Sequence, residues 1–343
     1  MAAWLARAGK HGEDEKRALE SGLAIIGWKA LPDLSKISSK DELLSILNKA
    51  YPNSSANRNI NFRGQLWSFV KGMKKGDIIV LPQKTRSVVA LGRVSGDYAV
   101  IEGKHTRKVD WIKDSIPRSA FGQDLLYSFG AFMTVCQIKR NDAEARLEVM
   151  IKGGADPHLA GKQASKSVTA TDTVTSEEPE EAFIDLEEQA IDQIRRLIQA
   201  KFAGHNLARL VEAVLNSQGY QTHRSPEGAD AGIDILAGHG PMGFDKPRIC
   251  VQVKSGGVQN DASIRELEGV MSRVSAEQGL FVSWHGFNRT AEQNRRDLFF
   301  KVRLWDDKKL ISELLSCYDK LPDEMQAELP MKRIWVVVPE EDQ

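Results

Sequence analysis

Three side chains in the second half of the chain could do chemistry together: the carboxylate of Asp234, the amide of Gln252 and the amine of Lys254. Gln252 and Lys254 stand two apart in the apolar run 248–255. On a strand they share one face, while Val251 and Val253 point the other way, into a core. Asp234 stands in a second run, 228–237, entered through Gly228 and Gly232. A carboxylate, a second oxygen donor and an ammonium converging at strand ends can hold a divalent cation and position a water. That chemistry cuts phosphodiesters. Taken singly, each residue has a plainer reading: a turn-forming Asp, or a lysine leaving the core with its head in solvent.

The elements needed to position such a trio are also legible. Leu207, Leu210, Val211, Val214 and Leu215 recur at helical spacing and give one apolar stripe, with Glu212 on the same segment and Gly219 suited to its C-terminus. Downstream come a helical segment near 262–274, the apolar run 279–284, a second helical segment from about Asn288, a short strand at 302–305, and a last helix with Leu310, Ile311, Leu314 and Leu315.

The spacing Asp-x17-Gln-x-Lys resembles the signature of the PD-(D/E)xK nuclease superfamily, and glutamine in place of the usual acid is similar to the Mrr-type restriction endonuclease branch. The resemblance covers residues 203–316, with Glu212 at that family's acidic helix position. It implies an α/β fold, a restriction-endonuclease-like α/β/α sandwich with a mixed central sheet. It also implies an endodeoxyribonuclease that hydrolyses phosphodiester bonds in double-stranded DNA, with Mg²⁺ as cofactor and Mn²⁺ as a substitute. Asp234, the Gln252 side-chain oxygen and the Val253 carbonyl are the expected metal ligands, and Glu212 is expected to bind a second metal or a metal-bound water. Lys254 is expected to orient and help deprotonate the attacking water, or to stabilise charge developing on the phosphoryl oxygens. Asp230 is a rival carboxylate whose place in the loop favours a turn or supporting role. An amide oxygen is a weaker Mg²⁺ ligand than a carboxylate. An inactive DNA-binding module is therefore one alternative, and a nuclease acting on branched DNA or RNA is another. Double-strand cutting makes a homodimer plausible.

At 343 residues and 41% hydrophobic, the chain is long enough for two folded domains. A net charge of zero hides an asymmetry: residues 1–155 hold 25 Lys and Arg against 16 Asp and Glu, whereas residues 184–343 hold 20 against 25. A basic first domain suits a polyanionic partner. Cys136, Cys250 and Cys317 are far apart in apolar contexts, so the sequence suggests neither a zinc site nor a disulfide framework. With no long apolar stretch and too short an apolar start for a signal peptide, the expectation is a cytoplasmic protein with no membrane segment.

Composition divides the chain into residues 1–155, a linker at 156–183 rich in small, hydroxyl and acidic residues, and residues 184–343. A helix is expected over 184–201, and a final strand over 333–339. In the first domain, residues 64–73 read as a helix, 78–82 and 87–94 as strands, and Gly96-Asp97-Tyr98 as a turn. Lys75-Gly76-Asp77 before the strand 78–82, followed by Ala90-Leu91-Gly92-Arg93-Val94, resembles small β-barrel readers of the PUA/EVE type. The resemblance implies an α+β domain with a small β-barrel that reads DNA and directs restriction, as an antiviral defence, to modified or foreign DNA. Base flipping into an aromatic pocket makes Trp28, Tyr98 and Trp111 candidate base contacts, with Arg63, Lys84, Arg86 and Arg107 on phosphates. Trp67, beside Leu66 and Phe69, reads as core.

Overall fold

The computed structural model describes residues 1–131, 133–160, 185–226, 232–294 and 296–336. They form two compact units, Met1–Gln189 and Ala190–Trp335. Most of the suggested linker (161–183) lies outside the described residues, as do Asp230 and the end of the expected last strand.

The first unit is built on β1 (Ala3–Ala6), β2 (Leu23–Ile26), β3 (Ile78–Pro82), β4 (Val88–Ile101), β5 (Lys104–Pro117) and β6 (Val135–Gln137), ordered β2-β5-β4-β3-β1-β6 in one mixed sheet. The expected closed barrel is not among these pairings. Its helices include α1 (Glu15–Glu20), α2 (Lys40–Ala50), α3 (Ala56–Trp67), α4 (Gln123–Phe129), α5 (Ala143–Ile151) and the short α6 (Pro157–Ala160). Period-two alternation sorts β3 between two cores: Ile79 packs with Leu43, Leu47 and Leu66, while Ile78 and Val80 pack with Phe121, Phe129 and Leu147.

Two local expectations are corrected here. Gly96-Asp97-Tyr98 is not a turn, because β4 continues through it with a register shift against β5 between Val94 and Tyr98. The reversal falls instead at Glu102 and Gly103, both in the left-handed region at φ 50° and 72°. The helix expected at 64–73 starts earlier, where the Ser55 side chain accepts from Arg58 N–H, and ends in a π-helical turn, Ser68–Gly72. Carbonyls of that turn are met by Arg107, whose Nε donates to Phe69 O (2.5 Å) and whose Nη2 donates to Val70 O (2.8 Å).

Helix α7 (Leu186–Lys201) leads into the second unit, followed by α8 (Asn206–Ser217), β7 (Gln221–Arg224), β8 (Ile235–His239), β9 (Asp245–Lys254), α9 (Asp261–Arg273), β10 (Gln278–Ser283), α10 (Arg289–Asn294), β11 (Val302–Trp305), α11 (Asp307–Cys317) and α12 (Asp323–Glu328). The sheet order is β11-β10-β9-β8-β7: β9, β10 and β11 are parallel, and β7 and β8 antiparallel to their neighbours. Ile249, Val251 and Val253 of β9 pack with Leu210, Val214, Leu310 and Leu314 of α8 and α11. Cys250 packs on the other side with Ile264, Leu267 and Met271 of α9. Helices thus cover both faces, giving the expected α/β/α sandwich with a mixed sheet. Buried Arg195 of α7 pairs with Asp192 on its own helix and with Asp307 at the start of α11. Residues 333–336 form no strand, and Trp335 is fully exposed. A β-rich sequence needs a partner edge to become a strand, and none pairs with this run.

Candidate active site

The start of β8 lies beside the end of β9 because the two strands are antiparallel, with Ile235 opposite Val251. That register brings Asp234 to the backbone of Val253, the residue between Gln252 and Lys254. Oδ2 of Asp234 accepts the Val253 N–H at 2.8 Å, a side chain taking the place of a ladder carbonyl where β8 begins. The Asp234 backbone is tied on both sides, with its N–H donating to Val251 O (3.0 Å) and its carbonyl accepting from Ser225 N–H (2.9 Å). Gly232 leads in at φ +85°, a conformation that favours glycine, and a Cβ built there would sit 3.9 Å from Gln252 Nε2. The loop entering β8 therefore lies against the Gln252 amide.

Gln252 is buried, and its Oε1 finds no hydrogen-bond partner among the described residues. A buried acceptor left unpaired costs roughly 1–3 kcal/mol. Such an atom, one residue from the backbone amide that holds Asp234, suits a ligand of an oxygen-seeking cation. Lys254 is half-buried at the end of β9, and its ammonium enters no hydrogen bond or ion pair among the described residues. Its carbonyl accepts from Trp284 N–H at 2.9 Å, which fixes the strand end against β10. Cys250, two residues before Gln252, is pushed up to about 11 by burial, with the Asp234 charge adding in the same direction. Its thiol stays protonated and is a core group. Among the described residues, no cluster of three or more His, Cys, Asp and Glu is placed to hold a metal.

Glu212 is placed differently. On α8, which packs on the core opposite α9, its Oε1 accepts from Thr222 Oγ1 (3.2 Å) and its Oε2 from Arg224 Nε (2.9 Å). Nothing in the sequence points to Arg224, because its pairing depends on β7 lying beside α8. The structure thus brings Asp234, Gln252 and Lys254 together at adjoining strand ends and leaves Glu212 engaged by β7.

Residues 199–314 match the Mrr catalytic family, described as a restriction endonuclease. The second unit carries an Mrr-type restriction endonuclease domain. The endonuclease domain spans nearly the stretch whose motifs resemble that branch. Residues 4–127 match a domain of unknown function (DUF8426), so the PUA/EVE likeness is not confirmed. No curated protein matches the chain. Solved structures similar to it include a protein of unknown function, AF1548, at 13% identity, covering 31% of this chain and 64% of that one, with a TM-score of 0.25. The DNA modification-dependent restriction endonuclease AspBHI is 17% identical over 90% of this chain and 79% of its own, with a TM-score of 0.30. The MspJI restriction endonuclease in complex with a 27-mer oligonucleotide is 13% identical over 81% and 70%, also at 0.30. The chain therefore spans just under two thirds of the first of these and more of the other two.

Outside the endonuclease domain, several expected DNA contacts prove to be internal groups. Arg107 is buried, with its guanidinium on the carbonyls of Phe69, Val70 and Gly96, so it is a packing anchor and not a phosphate contact. Tyr98 is buried, its hydroxyl accepting from Leu34 N–H (3.1 Å) and lying 2.6 Å from His105 Nδ1, so its ring is not open to stack on a base. Trp111 is half-buried and donates its indole N–H to Ala18 O at 3.0 Å. Arg63, 4.0 Å from Asp41, is half-buried, as are Lys84 and Arg86. Trp28 is half-buried against Phe62, and its indole nitrogen has no partner among the described residues. Trp67 packs against the core with Leu66 and Phe69. No helix among the described residues is long and apolar enough to cross a membrane.

Proposed function

We propose that the protein is a Mg²⁺-dependent endonuclease, with Mn²⁺ as a substitute, that cuts double-stranded DNA in a cytoplasmic restriction system, directed by its N-terminal domain to modified or foreign DNA. The observation that carries the reading is the unpaired, buried Gln252 oxygen beside the Asp234 carboxylate in a restriction endonuclease domain. Asp234, Gln252 Oε1 and the Val253 carbonyl would hold the ion. When bound, such an ion lowers the pKa of a coordinated water and polarises the phosphate. Lys254 sits at the next position with its ammonium unengaged among the described residues, where it can orient the attacking water and offset charge on the phosphoryl oxygens. Glu212, held by Thr222 and Arg224, keeps free lone pairs with which to bind a second metal or a metal-bound water. The surplus of nine positive charges in residues 1–155 supports a DNA-binding first domain, and two copies acting together would cut both strands.

The test is plasmid DNA that is unmodified, cytosine-methylated, adenine-methylated or hydroxymethylated, incubated with Mg²⁺ and with the parent, Asp234→Ala or Lys254→Ala. Cleavage by the parent and none by either variant is expected. Cleavage by both variants at the parent's rate would overturn the site. Binding without cutting, in Mg²⁺ and in Mn²⁺, would leave an inactive DNA-binding module.

A further inference from the structure

The chain that leaves the active-site strand turns at once. Lys254 ends β9, and Ser255-Gly256-Gly257-Val258 carries it to Gln259 and on into α9. Gly256, Gly257 and Val258 are exposed, yet the turn is fastened at both ends. At one end the Lys254 carbonyl accepts from Trp284 N–H (2.9 Å). At the other, Gln259 N–H donates to Gly286 O (3.0 Å), and the Gln259 carbonyl accepts from Asn288 N–H (2.8 Å). Gly286 O also accepts from the hydroxyl of buried Ser283 (2.8 Å), which ties the turn to the end of β10.

The Gln259 side chain then sets the peptide planes of the turn. Its Nε2 donates to Gly256 O (2.9 Å) and to Gly257 O (3.1 Å). Both peptides are trans, so the N–H on each plane points opposite to its carbonyl. The donors of those two planes, Gly257 N–H and Val258 N–H, are therefore directed away from Gln259. Neither finds an acceptor among the described residues. Backbone N–H groups of this kind are among the donors that proteins use on DNA phosphates.

Gly257 sits in the left-handed region at φ +64°, which favours glycine. Gly256 lies outside that region, and a Cβ there would meet nothing within 4 Å. Neither the backbone nor packing inside the protein asks for glycine at 256. What the missing side chain leaves is room for a ligand to approach the backbone closely. The surroundings select the sign of its charge. Lys254 precedes the turn with its ammonium unengaged among the described residues, and residues 255–260 contain no acid. The first acid after them, Asp261, is engaged by Arg265 (2.8 Å) and Asn294 (2.9 Å). Three residues span at most about 10 Å, so an anion on Gly257 lies a short step from Lys254. We infer that the Gly257 and Val258 N–H groups hold a phosphate of the strand being cut, beside the one attacked, with Gln259 as their positioning residue. The inference rests on the DNA-cutting reading above, and names the part of that site that holds the strand.

The full-length parent, Gly256→Ala, Gln259→Leu and a control, Gly269→Ala, are titrated by fluorescence anisotropy against one duplex, in EDTA and in Ca²⁺. Gly269 is exposed on α9, and a Cβ there also meets nothing within 4 Å, so the control makes the same change away from the turn. Gly256→Ala is expected to melt no lower than the parent, because alanine has less backbone freedom to lose. It is expected to bind about tenfold more weakly, while Gly269→Ala binds as the parent does. Gln259→Leu decides the matter if Gly256→Ala is not folded. Parent affinity in the deciding variant, an equal loss in the control, or no binding by the parent overturns the inference. Single-turnover cutting in Mg²⁺ is then followed at rising protein concentration. The concentration for half-maximal rate should rise by the same factor in Gly256→Ala, with the maximal rate unchanged; a fall in maximal rate alone overturns the strand-holding role. Parent-like binding and cutting by Gly256→Ala leaves the nuclease reading standing while the turn falls. Binding lost in Gly256→Ala, with no cutting by the parent in Mg²⁺ or Mn²⁺, supports the turn and removes the nuclease reading.

Discussion

Replacing Gln252 by methionine separates what the amide does for the fold from what it does for a bound ion. In the metal-free protein, Gln252 holds a buried oxygen with no partner among the described residues, at 4% exposure for the residue. Desolvating such an acceptor costs roughly 1–3 kcal/mol, and methionine has nearly the same length with no oxygen to desolvate. Taking the lower end, because the amide nitrogen can still reach solvent, the variant should be about 1 kcal/mol more stable in EDTA. For a unit of this size that raises the unfolding midpoint by roughly 2–4 °C. Mg²⁺ should reverse the order. An ion at a hundredfold excess over its dissociation constant stabilises the parent by about 2.7 kcal/mol, and the variant, lacking the oxygen, should gain much less. Differential scanning calorimetry of both proteins with EDTA and with increasing Mg²⁺ reads both effects. A variant that melts below the parent in EDTA would show that the amide oxygen is satisfied. Equal gains in Mg²⁺ would show that Gln252 is not a ligand.

Three further outcomes follow from the same coordinates. Arg107→Ala should lower stability by about 3 kcal/mol or more in urea unfolding, because it strips charged hydrogen bonds from three buried carbonyls; a change within ordinary surface limits would return Arg107 to the list of phosphate contacts. Burial pushes the His105 imidazole below its usual 6.5, against the hydrogen bond to Trp28 and the charge of Asp33. The folded state then binds fewer protons than the unfolded chain, so this contribution is complete above about pH 6.5 and is lost as pH falls below it. His105→Gln should flatten that part of the stability profile, and an unchanged slope would refute the assignment. Cys250, pushed up to about 11 by burial, should resist alkylation at pH 8 in the native protein and react after denaturation, read by mass spectrometry; rapid labelling of the native thiol would contradict the buried placement.

The endonuclease half was legible because its signals are local and periodic. Gln252 and Lys254 share a face by alternation, and the helices at 206–217, 261–273 and 307–317 carry apolar stripes that show their faces. What sequence could not supply was partnership. Nothing around Glu212 foretells Arg224, and nothing around Tyr98 or Arg107 says that one will hold His105 and the other will meet the end of a helix nearly forty residues away. Cationic and aromatic side chains in a basic domain read as DNA contacts until long-range packing turns them inward. Gly96-Asp97-Tyr98 has turn composition, yet the hairpin absorbs it as an irregularity and reverses at Glu102 and Gly103. Asn59 carried no signal at all, since an amide on a helix looks ordinary until its buried oxygen is left without a partner among the described residues.

The hold of Arg107 on the Phe69 and Val70 carbonyls reaches beyond its own turn. It bolts the far end of the same continuous helical run whose near end carries Arg58, Asn59 and Phe62. A helix fixed at its foot cannot slide to make room at its head. The placing of Phe62 against Trp28 and Tyr51 is thus set in part by a contact made at the other end of the run. Loosening that bolt should be felt along the whole run, as lost stability at its foot and as movement of Phe62 at its head.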